Sequence, residues 1–509
     1  MFRQLHHFLP ALFTVAIAAL GAAGCAETKS RPQPAVTAEA KAKEKAEAMV
    51  GQAVAPAARS APATAAVQTA VQGSAPPAIG ELLSKLAAAA GGDQRVLVVD
   101  EIGAIGQNAL PALDALVAAF ADTDPRVRWH AARAVGLIGE DARTAIPAIL
   151  KLLGDTDPLV VTQAAAALAA IREDDGRATI PAADAATYAT VVEPLAKTSV
   201  HPDGRARRAA VRALRRYKSL AELGPIVSKQ LADADPGVLM SALQTLSDMG
   251  DDAVPFLLEA MKDPKSRYWA EVALAELGAE AAPAADVLAQ AAEEGPAEER
   301  LQAILALASI GEPAAAAAPA VIKALDADDA ALRLPAAFAL GRMKAAPGTE
   351  SLKKAAAGDD AFLGSVAAWA LARIHPDDKQ LVGEALDRLR KGLAHPDPDA
   401  RAACANGLSD LAAAATGDVR GQLAEDFVRL LADSDPKANR AAGAALIRLG
   451  DAAVPKLREK IADPALRLNA MSILAAMGPA AKPALSELVK ALGESDAECR
   501  GEAAVAVAA

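Results

Sequence analysis

Apolar residues in this chain return at offsets of three, seven and ten from a fixed reference position, and the pattern repeats along most of its length. The clearest copy runs Asp124-Pro125-Arg126-Val127-Arg128, continues through Ala131, Val135 and Ile138, and stops at Gly139. With Arg128 as reference, the equivalent positions are Arg95, Val161, Arg207, Leu239, Arg267, Arg300, Arg333, Gly364, Arg401, Asn439, Arg467 and Arg500. Three residues further on stands Val98, Cys404 or an alanine. Seven further on stand Ile102, Val135, Leu168, Leu214, Leu246, Leu274, Leu307, Leu340, Leu371, Leu408, Leu446, Leu474 and Val507. Ten further on come Ile105, Ile138, Ile171, Tyr217, Met249, Leu277, Ile310, Met343, Ile374, Leu411, Leu449 and Met477. These offsets share one face of a helix, so each copy predicts a helix with a single inward stripe. The small column lets neighbouring helices approach, and the two larger columns fill the layer between them.

The polar positions punctuate this pattern. Aspartate before proline caps a helix N-terminus, and proline at the first helical position lacks only a donor that would be orphaned anyway. Glycines 106, 139, 250, 278, 311, 450 and 478 close the periodic segments and predict a left-handed stop. A second helix precedes each turn, with a proline near its start: Pro111, Pro147, Pro225, Pro255, Pro283, Pro319, Pro455 and Pro483. Each unit therefore reads helix, turn, helix, loop. About thirteen such pairs follow one another, and the longer interval from Arg172 to Ala183 reads as an insertion that loops out.

Composition agrees with an all-α chain. Hydrophobic residues make up 53% but aromatics only 3%, and alanine dominates the apolar fraction. Alanine is the strongest helix former, whereas sheets draw on β-branched and aromatic residues. The net charge of −11 gives no basic field for nucleic acid. Arg205, Arg207, Arg208, Arg212, Arg215 and Arg216 form a local exception, read either as a solvated face with structural arginines or as a contact for an acidic patch on a partner. Cys25, Cys404 and Cys499 form no CxxC pair. The last two lie about three repeats apart, at roughly 10 Å per stacked pair, beyond the reach of a disulfide.

These residues resemble HEAT repeats, and the shorter copies resemble the phycobilisome-lyase type. The resemblance covers residues 79–509 and implies a right-handed α-solenoid of about thirteen helix pairs. In that family an arginine early in the second helix and an aspartate near the turn form a polar ladder between repeats. The arginine matches at Arg95, Arg128, Arg207, Arg267, Arg300, Arg333, Arg401, Arg467 and Arg500, and the aspartate six residues earlier at Asp122, Asp155, Asp233 and Asp433. Val161, Leu239, Gly364 and Asn439 depart from it. Each aliphatic buried between pairs contributes roughly 1.5–3 kcal/mol, a gain that exists only when a neighbour is present.

Residues 1–24 read as a signal peptide: a short head with Arg3, an apolar stretch from Phe8 to Leu20, then small residues before Cys25. The ending resembles a bacterial lipoprotein lipobox, with Ala22 where that family prefers leucine, and implies lipid attachment at Cys25. Ordinary signal cleavage, leaving a soluble secreted protein, remains the alternative. Residues 25–78, rich in Ala, Pro, Lys and Glu, read as a flexible, disordered tether.

Candidate chemistry is sparse. No HExxH, GxSxG, Walker-type or GxGxxG motif occurs. His201, His375 and His395 each open a His-Pro-Asp triplet on a different repeat, so turn geometry accounts for them better than a metal site. The HEAT-repeat deoxyhypusine hydroxylase binds iron through His-Glu dipeptides, and this sequence has none. Phycobilin lyase activity is equally unsupported. No catalytic, cofactor or metal residues are assigned. In HEAT solenoids the second helices line the concave surface, and the large aromatics Trp129, Tyr268, Trp269, Phe338 and Trp369 all fall on them. They read either as gap-fillers between alanine-rich helices or as anchors for a protein or peptide partner. With Arg126, His130 and Arg133 beside Trp129, that repeat is the leading contact site. The expectation is a non-enzymatic interaction scaffold of the cell envelope, with self-association through the C-terminal end as the alternative.

Overall fold

The structure, a computed structural model, describes residues 79–172, 185–218, 220–412 and 417–509. The segments read as signal peptide and tether, Cys25, and nearly all of the interval read as an insertion lie outside the described residues. Those described are almost entirely helical, with no strand among them, and fall into two compact units, residues 79–273 and 274–509.

In the first unit the helices are α1 (Ile79–Ala88), α2 (Gly92–Ala104), α3 (Leu113–Ala118), α4 (Pro125–Ile138), α5 (Ile146–Leu152), α6 (Pro158–Ile171), α7 (Ala185–Thr198), α8 (Gly204–Leu214), α9 (Leu220–Val227), α10 (Pro236–Met249) and α11 (Val254–Ala260). Helix α12 (Arg267–Leu277) lies mostly in it. The second unit holds α13 (Ala285–Glu294), α14 (Ala297–Ile310), α15 (Ala318–Leu325), α16 (Ala330–Arg342), α17 (Thr349–Ala356), α18 (Ala361–Ile374), α19 (Lys379–Gly392), α20 (Pro398–Leu411), α21 (Gly417–Leu430), α22 (Pro436–Leu449), α23 (Val454–Ile461), α24 (Arg467–Met477), α25 (Leu485–Ala491) and α26 (Ala497–Ala508). Every even-numbered helix contains one reference position of the sequence pattern. Apart from α12, each packs against its odd-numbered partner, and within a unit successive even-numbered helices lie side by side: α2 on α4, α4 on α6, α6 on α8, α8 on α10, and likewise from α14 to α26.

Burial follows the columns. The alanines three residues after the reference are inaccessible, and the leucine column is buried from Ile102 to Leu474. Its last member, Val507, is 37% exposed, because no described helix follows α26. The N-terminal caps form as the turn chemistry requires. Asp124, Asp157, Asp203, Asp235, Asp397 and Asp435 each accept a backbone N–H from the first turn of the helix that follows.

All seven closing glycines have positive φ, between 58° and 80°. Their ψ differs from the expected left-handed stop. Gly139 has φ 80° and ψ −145°, the mirror image of extended backbone, a region that side chains exclude. This conformation feeds the chain straight into a 3₁₀ segment that opens the next odd-numbered helix, as at Gly139–Ala145 before α5 and Gly278–Ala284 before α13. Most of the prolines sit within or just after these segments, where a missing N–H costs little, but Pro225 lies inside α9.

The ladder forms where both partners are present. Arg95 donates to Asp122 at 2.6 and 2.9 Å, Arg128 to Asp155 at 2.8 Å twice, Arg207 to Asp233 at 2.7 and 2.6 Å, and Arg401 to Asp433 at 2.6 and 2.8 Å. Each arginine thereby ties its repeat to the next. Arg128 also donates to the carbonyls of Asp122 and Thr123 in its own turn. Arg300, with no aspartate at the matching position of the next repeat, donates to the carbonyl of Ala292, and Arg500 makes the same own-turn bonds, to Glu494 and Ser495.

Candidate functional site

Positions one, five and nine after the reference fall on one helical stripe, opposite the buried columns. On α4 this stripe carries half-buried Trp129 and exposed Arg133 and Leu137. His130 beside them is only 12% exposed, and its Nδ1 hydrogen-bonds the Asp100 carboxylate of α2. Arg133 approaches the same carboxylate at 4.0 Å. The Trp129 and His130 rings lie face against face, with centroids 3.5 Å apart and planes 30° from parallel. Arg126 is exposed and pairs with Asp93 of α2 at 2.8 Å and with the cap residue Asp124. The four α4 residues singled out in the sequence therefore form one cluster, organised by Asp100 and Asp93.

Tyr268 and Trp269 are half-buried on α12 and meet edge to face at 5.1 Å. Three second helices separate them from Trp129 in the chain, so they form a separate aromatic pair. Phe338 and Trp369 belong to the other unit. Their rings stack 5.3 Å apart at 9°, and Trp369 is only 5% exposed. Its Nε1–H donates to Asp410 Oδ2 at 3.2 Å, while Arg373 lies 5.4 Å over its ring and binds the same carboxylate. Trp369 thus fills a gap between α16, α18 and α20.

Sequence reasoning missed Asp100 and Asp410, the acids that organise both clusters. The signal was available at the offsets left untabulated. Asp100, Arg133, Phe338 and Trp369 share offset five, and Arg342, Arg373, Asp410 and Arg448 share offset nine. Burial, followed by the charge of Arg373, holds Arg342 below the usual arginine range, whereas Asp410 acts in the opposite sense.

The arginine run on α8 divides into two groups. Arg205 pairs with Asp203, Arg207 with Asp233, and Arg215 with Asp248 at 2.8 Å. Arg208, Arg212 and Arg216 are exposed. Cys404 and Cys499 are buried free thiols, and burial pushes the Cys404 thiol up to about 12. His201 and His395 accept, through Nδ1, the backbone N–H of Asp203 and Asp397 inside their own turns. His375 hydrogen-bonds Thr349 at 2.9 Å. Among the described residues no group of three or more His, Cys, Asp or Glu side chains converges as a metal site would require.

A family model described as HEAT repeats matches residues 81–168, 113–187 and 191–278. No curated protein matches the sequence. Among solved structures, yeast importin-beta (Kap95p) is similar with a TM-score of 0.58 at 14% identity, over 92% of this chain and 72% of that one. Importin beta crystallised in ammonium sulfate gives 0.53 at 15% identity, over 99% and 80%. Kap121p bound to Nup53p gives 0.51 at 14% identity, over 97% of this chain but 52% of that one, so the chain spans about half the length of Kap121p. At such identities the likeness speaks for fold alone. Residues within 81–278 thus match HEAT repeats, and every second helix to α26 carries the same register.

Proposed function

We propose that the protein is a non-catalytic scaffold that holds a protein partner on the exposed stripes of its second helices, exported and tethered to the cell envelope through a lipid on Cys25. The observation that carries the reading is Trp129. Its indole stacks on a histidine fixed by Asp100, yet stays half-exposed on a face the fold does not need for packing. A large aromatic preset in this way can bury area in a complex at little entropic cost. HEAT-fold neighbours offer a precedent, since Kap121p is seen bound to Nup53p.

Affinity capture from envelope extracts, comparing wild type with Trp129→Ala and Tyr268→Ala, tests the reading. A partner lost by Trp129→Ala, and then titrated as a purified protein, supports it. Equal recovery of every partner by all three removes the proposed contact. Labelling with a fatty-acid analogue, lost in Cys25→Ser, tests the anchor. A second reading, self-association, rests on the apolar surface of the last described pair, where Val489 of α25 and Val505 of α26 are exposed. Light scattering that finds a concentration-independent monomer sinks it.

A further inference from the structure

The first unit carries a groove built from three neighbouring stripes. Helix α4 raises Trp129, Arg133 and Leu137 at offsets one, five and nine. Helix α6 offers only Thr162, Ala166 and Ala170 at the same offsets, while α8 raises Arg208 and Arg212, and Arg216 follows in the turn just beyond its end. Since α6 packs against both α4 and α8, a low floor of small side chains runs between an aromatic ridge and an arginine ridge. At roughly 10 Å between neighbouring helix axes the ridges stand about 20 Å apart, wide enough for one extended chain and its side chains.

Nothing within α8 explains the arginine ridge. Like charges four residues apart on a helix, as Arg208 and Arg212 are, repel each other. The other three arginines of the run each have a carboxylate. Among the described residues no carboxylate is paired with Arg208, Arg212 or Arg216, although the chain as a whole is acid-rich at −11. The Arg208 guanidinium reaches the start of α10, where a β-carbon on Gly237 would sit 2.0 Å from its Nη1.

Resting on the scaffold reading above, we infer that this groove binds an extended acidic segment of a protein partner. Its carboxylates pair with Arg208, Arg212 and Arg216, and its backbone lies over Ala166. Planar guanidinium forks suit carboxylates in bidentate pairs. The arginine ridge has no aromatic on which bases could stack, so a peptide suits the groove better than nucleic acid.

Fluorescence anisotropy of the full chain with labelled hexaglutamate, hexalysine and a single-stranded oligonucleotide of matched charge tests the inference. Hexaglutamate is expected to bind best, more weakly as salt rises. Joint Arg208→Gln, Arg212→Gln and Arg216→Gln replacement should weaken it about tenfold or more, whereas Arg→Lys at the same sites should fall between, keeping the charge but losing the fork. Ala166→Trp, at an exposed site, should block the floor with the ridge intact. Arg429→Gln, on an exposed arginine of α21, should change nothing. Circular dichroism establishes that each variant is folded. Binding by the triple glutamine variant within twofold of wild type overturns the inference, as does preference for the oligonucleotide. Such a failure leaves Trp129-dependent capture untouched, so the groove's occupant and the scaffold reading fall separately.

Discussion

At the scale of single residues, the ladder arginine is the most committed side chain in a repeat. Arg128 and Asp155 are 14% and 11% exposed, and the guanidinium bridges its own turn to the next. Removing one member leaves a desolvated charge behind, so Arg128→Ala should cost about 3 kcal/mol. Arg128→Lys should fall between, because an ammonium cannot fork across both carboxylate oxygens. Urea midpoints followed by circular dichroism read both, and a midpoint unchanged in Arg128→Ala contradicts the assignment. The carboxylates add a pH dependence. Hydrogen bonds from Arg95 and Arg401 hold Asp122 and Asp433 below their ordinary 3.8. At Asp155 burial is the largest single influence and pushes up, but the bonds and charge of Arg128, joined by backbone N–H bonds from Asp157 and Thr156, together outweigh it. Groups lowered in this way give stability that is complete above the unfolded value near 3.8 and is lost as pH falls through the folded value. Asp203, lowered to about 2 chiefly by Arg205, marks the bottom of the window. The urea midpoint should therefore be insensitive to these groups above pH 5 and fall between about pH 4 and pH 2. A midpoint flat down to pH 2 shows that they do not couple to folding.

At the scale of the helix, the junction after each even-numbered element hinges on a glycine. Gly139 adopts φ 80° and ψ −145°, and a β-carbon there would meet no neighbouring atom, so the whole penalty of substitution is conformational. Gly139→Ala should cost about 1–3 kcal/mol. Because asparagine tolerates the left-handed helical region but not this mirror-extended one, Gly139→Asn should do no better than alanine. Thermal denaturation of the two variants decides this, and recovery by asparagine points to an ordinary left-handed cap. The helices themselves were legible because thirteen copies average out local ambiguity: a position apolar in every copy, such as the one holding Leu168, has one explanation. Contacts made once in the chain had no such repetition behind them. Trp369 read equally as anchor or filler until Asp410, forty-one residues on, proved to accept its N–H. Tyr217 stood in an apolar column with nothing to show that its hydroxyl donates to Leu168 O at 2.6 Å. The 3₁₀ openings of the odd-numbered helices were equally hidden, since their prolines alone mark only a helix start.

At the scale of the whole molecule, stability in a stack of pairs is a sum over neighbours, with no central core shared by all. Leu168 tests this. It is fully buried in α6, which packs on α4 and α8, and its carbonyl also receives the Tyr217 hydroxyl beyond the end of α8. Truncation to alanine removes side-chain atoms from the layer and leaves a cavity, at a cost of about 2–5 kcal/mol. In a globule with one core that loss would lower amide protection everywhere. Here it should be concentrated where Leu168 makes contact: amides of α4, α6 and α8 should exchange faster in Leu168→Ala, while those of α1 and α10 keep nearly their wild-type rates. Hydrogen exchange with peptide-level resolution measures all five helices in one experiment. Uniform acceleration from α1 to α10 means that the first unit opens as a single cooperative body, and the neighbour-by-neighbour account is wrong. A graded response also bears on binding, because α4, α6 and α8 carry the two ridges and the floor between them. An occupant of that groove should slow exchange in the same three helices that Leu168→Ala accelerates.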